Sequence, residues 1–265
     1  MQITPSPFLS NHIKHYLVLD IESDIQKNFR HFSNGHNGIV FAIKKTNFKV
    51  SSTNSTLPNN YVFGQILNNQ DFIMEGALSI IIVLFQPFGL YRFTGIPSNE
   101  LKGKIVDASL IFDNEVFELN ERLRSECTIN TIVENLNSFF LNRLNKNEDS
   151  LAPFLQNTVQ HVLIKKGMVS VKQLSLYACT SERNLQRTFA GQIGISPKKF
   201  IQIIKLHSFL GLMGRKSSPD LLTRISLQAG FYDQAHLIRE FKELTGLTPS
   251  AYRNAVPLAV NLISL

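Results

Sequence analysis

Two short clusters near the end of the chain combine residue types that could do chemistry together. Arg183, Asn184, Gln186 and Arg187 fall within five positions, and Gln234, His236 and Arg239 within six. Arginine can fork onto N7 and O6 of guanine, and asparagine or glutamine onto N6 and N7 of adenine, so the chemistry on offer is the reading of base edges in a major groove. Such reading needs a helix that turns these side chains outward. Leu185 and Phe189 are four apart, as are Leu237 and Phe241, which predicts the inward face of two such helices. Ser181 and Asp233 stand where a hydroxyl or carboxylate caps the first turn.

The two clusters belong to an internal repeat. Leu174-Ser175-Leu176 matches Ile225-Ser226-Leu227 at an offset of 51, and Ala178 and Cys179 pair with Ala229 and Gly230. Leu185, Arg187 and Phe189 then match Leu237, Arg239 and Phe241 at an offset of 52, and Gly194-Ile195-Ser196-Pro197 matches Gly246-Leu247-Thr248-Pro249. A slip of one residue confined to a turn is what two related helix-turn-helix units would show. Between them Pro197 opens a predicted helix to about Met213, and its 17 residues span roughly 25 Å at ~1.5 Å per residue. A rod of that length could hold two recognition helices near the ~34 Å spacing of successive major grooves, letting one chain imitate a dimer.

Residues about 160 to 254 resemble the AraC/XylS family of transcription regulators. The resemblance rests on Ser181-x-Arg183-x-Leu185-x-Arg187-x-Phe189, on Gly194-Ile195-Ser196-Pro197, and most specifically on the run Ala229 to Phe241 followed by Gly246 to Arg253. It implies that both recognition helices enter the major groove, with Arg183, Gln186 and Arg187 of the first and Gln234, His236 and Arg239 of the second at contact positions. Asn184 joins the first set from its place on the outer face. Two departures stand out: Cys179 occupies a turn position where the family often has glycine, which is expected to strain the first turn, and Lys205 stands in the linker helix where arginine is common.

The charge supports a polyanion partner. The chain of 265 residues carries a net +7, but residues 1–150 hold 13 basic against 15 acidic side chains, whereas residues 151–265 hold 14 against 5. The first hundred residues read as strands, Tyr16 to Leu19, Gly38 to Ile43 and Leu78 to Phe85, with Ser51 to Asn60 as a loop. From about Asn114 apolar residues recur at helical spacing through Leu144, predicting two amphipathic helices. The polar run Asn145 to Ser150 predicts a linker, with Pro153 in the first turn of the next helix.

The expected architecture is therefore multidomain. An α+β N-terminal domain over 1–150, mostly antiparallel, cupin-like or a sandwich and followed by helices, precedes an all-α domain over 151–256 with two helix-turn-helix units on a linker helix. Residues 257–265 are expected to be a tail. The N-terminal half is similar to the sensor and oligomerisation half of AraC-type regulators by position and by Phe85-Gln86-Pro87-Phe88-Gly89. That implies a small-molecule effector, whose contacts no residue identifies, and pairing through the helices of this half; the apolar stripe Ile129 to Leu144 reads either as the face of a homodimer or as packing within the domain.

Other chemistries were weighed on the same residues. His12 and His15, or His31 and His36, could ligate a metal in a cupin-like barrel, but no carboxylate or third histidine supports them, so neither metal nor cofactor is expected. Cys127 and Cys179 have no ligand spacing, and no motif makes Cys127 a nucleophile. Phe41, Phe48, Phe63, Phe72 and Phe85 read as core more readily than as pocket lining. With no signal peptide and no apolar run long enough for a bilayer, a cytoplasmic, non-enzymatic regulator of double-stranded DNA is expected, with RNA polymerase as a further partner. The alternatives are a cupin-like metalloenzyme with an appended DNA-binding module and an adaptor that binds only protein.

Overall fold

The computed structural model describes residues 1–265 except 45–46, 126–127, 147–150, 214–218, 260–261 and 265. Cys127 and the later part of the expected linker lie outside the described residues. The N-terminal strands are β1 (Gln2–Ile3), β2 (Ile13–Ile21), β3 (Lys27–Phe32), β4 (Gly38–Ala42), β5 (Asn47–Val50), β6 (Ser55–Thr56), β7 (Asn60–Phe63), β8 (Asn69–Glu75), β9 (Leu78–Phe85) and β10 (Ile105–Asp107). Helices α1 (Gly89–Thr94), α2 (Ser109–Phe112), α3 (Glu115–Ser125) and α4 (Ile129–Lys146) flank or follow them. The helical half comprises α5 (Leu155–Ile164), α6 (Val171–Tyr177), α7 (Glu182–Gln192), α8 (Pro197–Met213), α9 (Pro219–Gln228), α10 (Gln234–Thr245) and α11 (Pro249–Asn254), then β11 (Val256–Ala259) and β12 (Leu262–Ser264).

The strands form two antiparallel sheets, ordered β1-β2-β9-β4-β7-β10 and β11-β12-β3-β8-β5-β6. Val40 and Ile80 of the first sheet and Phe29, Phe48, Phe72 and Met74 of the second share one buried cluster, so the N-terminal domain is a two-sheet structure with an apolar interior. The outer face of the first sheet is covered by helices: Ile39, Phe41, Ile81 and Phe85 pack with Leu119, Leu136 and Phe140. Most of the apolar stripe of α4 is therefore used inside the domain rather than held open for a partner, although Ile129 remains 38% exposed.

The helical half has its own core, running through Leu185, Phe189, Phe200, Phe209, Leu237 and Phe241. Three expectations change here. The loop Ser51 to Asn60 contains the short strand β6. Pro153 precedes the N-cap Phe154 of α5 instead of sitting in its first turn. The expected tail forms β11 and β12, and β12 extends the second N-terminal sheet by pairing with β3, Ile263 opposite Arg30. An edge strand otherwise open to pairing is thus covered by the end of the helical half.

Candidate nucleic-acid interface

Each unit of the repeat is a helix, a tight turn and a second helix, and the turns can be matched bond by bond. After α6, the Cys179 amide donates to the Leu176 carbonyl and the Thr180 amide to Ser175. After α9, Gly230 donates to Leu227 and Phe231 to Ser226. Cys179 and Gly230 both adopt left-handed backbone, φ 48° and 82°. The expected strain at Cys179 is thus present, since a Cβ crowds the following carbonyl there. Ser181 follows Thr180 directly, but Tyr232 separates Phe231 from Asp233. The one-residue slip is therefore Tyr232, which stands 87% exposed.

Both recognition helices are capped as their sequences require. The Asn184 amide donates to Ser181 Oγ at 3.2 Å, and the His236 amide to Asp233 Oδ1 at 2.7 Å. Leu185, Phe189, Leu237 and Phe241 are buried, each worth roughly 1.5–3 kcal/mol against exposure. Arg183, Gln186 and Arg187 are exposed on α7, as are Gln234 and Arg239 on α10.

Two of the seven side chains are less free. Asn184 is half-buried: its Nδ2 donates to Thr180 Oγ1 at 2.8 Å, and its Oδ1 accepts from Arg187 Nη2 at 2.9 Å, which pre-orients the arginine. His236 turns back along α10, its Nε2 lying 2.9 Å from Glu240 Oε1 and its ring 5.8 Å from that of Phe231. His236 is thus part-buried on the flank of α10 and committed to Glu240.

The linker helix locks the second unit through Lys205, noted above as a departure from the family pattern, and through Gln202 and Glu240, which sequence reading did not single out. Glu240 is buried, and its Oε1 also accepts from Gln202 Nε2 of α8 at 3.1 Å. Lys205 holds its ammonium 4.2 Å from the Phe231 ring centre, a cation–π contact. Burial pulls the Lys205 amine below its ordinary range, with Glu240 opposing the shift. Phe209 meets Phe231 and Phe241 edge-on at about 6 Å. On the other side of α8, Phe200 lies 5.9 Å from Phe189. One helix thus bonds to both units.

The N-terminal domain holds an apolar cavity between its sheets, lined by Phe48, Phe63, Phe72, Tyr61 and Ile80 among others, with His15, His31 and Asn34 as its polar wall. Three of the five phenylalanines considered above therefore line a cavity, whereas Phe41 and Phe85 pack in the other core. Among the described residues, His15 Nε2 and Asn34 Nδ2 are buried there without a partner. Burial lowers His15 to about 4, reinforced by the Lys14 charge, and burial lowers His31 to about 4. The other two histidines weighed as ligands are committed elsewhere. His12 packs edge-on against Phe88 and Phe93, and His36 lies 2.8 Å from Lys14 Nζ and 2.7 Å from the Phe85 carbonyl. Among the described residues no three His, Cys, Asp or Glu side chains gather as a metal set, and no helix is long and apolar enough to cross a membrane.

Comparison with known proteins finds matches in both halves of the chain. A family model described as a helix-turn-helix domain matches residues 174–255, and a domain family of unknown function (DUF6597) matches residues 1–107. An uncharacterized HTH-type transcriptional regulator of Haemophilus influenzae is 35% identical over 88 residues, 33% of this chain and 29% of that protein. The HTH-type transcriptional regulator MtrA of Neisseria gonorrhoeae is 30% identical over 100 residues, 37% of this chain and 33% of that protein. The chain thus spans about a third of the length of these relatives. Among solved structures, unsaturated fatty acid-bound ToxT from Vibrio cholerae is similar at a TM-score of 0.49 and 14% identity, over 90% of this chain and 94% of that one.

Proposed function

We propose that this chain, whose residues 174–255 match a helix-turn-helix domain, is a sequence-specific DNA-binding regulator of transcription of the AraC type and not an enzyme. The observation that carries the reading is the pair of capped helices, α7 and α10, whose outward side chains are Arg183, Gln186 and Arg187 on one and Gln234 and Arg239 on the other, joined through one core on α8. Asn184 orients Arg187, and His236 borders the second face. Arginine and amide side chains on two fixed helices suit two successive half-sites on one face of a duplex. The surplus of basic residues after residue 150 supplies phosphate contacts, so affinity falls steeply with salt.

In this reading the protein works in the cytoplasm, contacts RNA polymerase, and pairs as a homodimer. Residues 1–150 form its sensor domain and residues 151–256 its reading domain. The cavity favours a small, mainly apolar effector that engages His15 and Asn34, because buried polar atoms without partners are costly to leave so. Titrating the full chain against genomic fragments and random duplexes at several salt concentrations tests the reading. Preference for particular fragments supports it. Equal affinity for all duplexes, or no binding at low salt, refutes it.

A further inference from the structure

Strand β3 lies between the cavity and the second reading unit, and its period of two gives each side a pair of side chains. Phe29 and His31 face the interior. Phe29 lies 6.4 Å from the cavity-lining Phe48, and His31 lines the cavity with its ring 5.9 Å from Phe63. Arg30 and Phe32 face the helical half.

Arg30 is fixed before it reaches across. Asp71, opposite it on β8, accepts from Nε and Nη2 at 2.6 Å each, a bidentate lock. The free Nη1 donates to the Gly246 carbonyl at 3.3 Å. Gly246 is the C-cap of recognition helix α10, with φ 70°. A Cβ at Gly246 would stand 2.8 Å from Arg30 Nη1 and 2.7 Å from Asn69 Oδ1, so glycine serves both the turn and the close approach. A guanidinium at that end of a helix also meets the negative pole of its dipole.

Phe32 completes the seat. Its ring stacks with His207 of α8 at 5.9 Å and 5°, and meets Tyr252 of α11 edge-on at 5.9 Å. The His207 Nε2 lies 2.9 Å from the Ser33 carbonyl oxygen, and β12 runs along β3. The first unit is touched from elsewhere: Ser98 Oγ donates to the Gln192 carbonyl at 3.1 Å.

We infer that Arg30 is a positioning residue for DNA reading, which sets α10 through its C-cap, and that this contact, unlike the Phe32–His207 contact on the shared helix α8, passes changes at the cavity wall to the second recognition helix and not to the first. The inference rests on the DNA-binding reading above. It assigns a DNA-reading role to an N-terminal residue that lies outside both recognition helices.

The test uses the full chain and the duplex it selects from a random-sequence pool. Base pairs are assigned to α7 or α10 by the losses in Arg187→Ala and Arg239→Ala. Arg30→Gln should weaken binding by about tenfold, and the loss should vanish on a duplex whose α10 half-site is scrambled. Arg30→Lys should restore part of it, and Asp71→Asn should mimic Arg30→Gln if that variant folds poorly. Amide exchange at Leu244 to Leu247 should quicken about tenfold in Arg30→Gln, with α7 unchanged, a readout that needs no DNA. Equal loss at both half-sites, no loss, or unchanged exchange at 244–247 overturns the inference. Failure of the unaltered chain to select any sequence instead refutes the DNA-binding reading.

Discussion

Cys179 and Gly230 occupy matched turn positions, and exchanging their chemistry should move stability in opposite directions. Cys179 has φ 48°, where a residue with a Cβ costs roughly 1–2 kcal/mol. Its side chain is exposed, so Cys179→Gly loses little burial, and the bond from its amide to Leu176 survives. The added freedom of glycine in the unfolded chain takes back about 0.5–1 kcal/mol. The net gain is about 0–1.5 kcal/mol, with a central value of about 0.75 kcal/mol. For a chain of this size each kcal/mol moves Tm by ~2–4 °C, so the central value corresponds to a rise of ~1.5–3 °C. Gly230→Ala should do the reverse and lose about 1–2 kcal/mol, because φ is 82° and the new Cβ would meet Met168 Cγ at 3.1 Å. Cys179→Ala, which keeps the strained backbone, should leave the midpoint nearly unchanged. Calorimetry of the three variants reads the result. A lower midpoint for Cys179→Gly together with an unchanged one for Gly230→Ala would refute the equivalence of the turns.

Other expected outcomes follow from the same geometry. Arg187→Ala should cost about 1–3 kcal/mol in binding and relax preference at one base pair; weakening that is uniform across sequences, with a smaller salt slope, would mark a phosphate contact instead. Ser181→Ala and Asp233→Ala should each cost about 0.5–2 kcal/mol of stability, measured by urea denaturation, through loss of a cap. The domain contact should also weaken in acid. Burial holds His31 and His207 neutral with values near 4, and His36 well below 6.5. The unfolded chain protonates these groups near 6.5 while the folded chain does not. Their stability is therefore present above about pH 6.5 and drains as pH falls towards 4, at ~1.4 kcal/mol per pH unit for each histidine. Denaturation midpoints that do not fall between pH 7 and 5 would contradict this.

The helical half was legible because its signals are local: caps at Ser181 and Asp233, apolar pairs four apart, and a proline at the start of α8. Even the left-handed backbone at Cys179 could be read from its pairing with Gly230. The strands β2, β4 and β9 announced themselves as β-branched runs. Strands β3 and β8 did not, since Lys27-Asn28-Phe29-Arg30-His31-Phe32 alternates between a cavity and a domain contact, and both sides accept polar groups. The Arg30–Asp71 lock joins residues 41 apart, and β12 pairs with a strand more than 200 residues earlier. No local pattern encodes such partners. The same holds for Glu240 and Lys205, whose meaning lies in the packing of α8 against the second unit; the His236–Glu240 pair, by contrast, is four apart on one helix and is open to a local reading. The cavity is built from strands scattered over the first hundred residues, so only their register assembles it.

The central claim is that one chain reads two half-sites with two helices of a single body. Hydroxyl-radical footprinting of the full chain on its selected duplex tests it most directly. The account predicts two protected patches on one face of the DNA about one helical turn (~34 Å) apart, one lost in Arg187→Ala and the other in Arg239→Ala. A single patch, or two patches that respond alike to both substitutions, would contradict it.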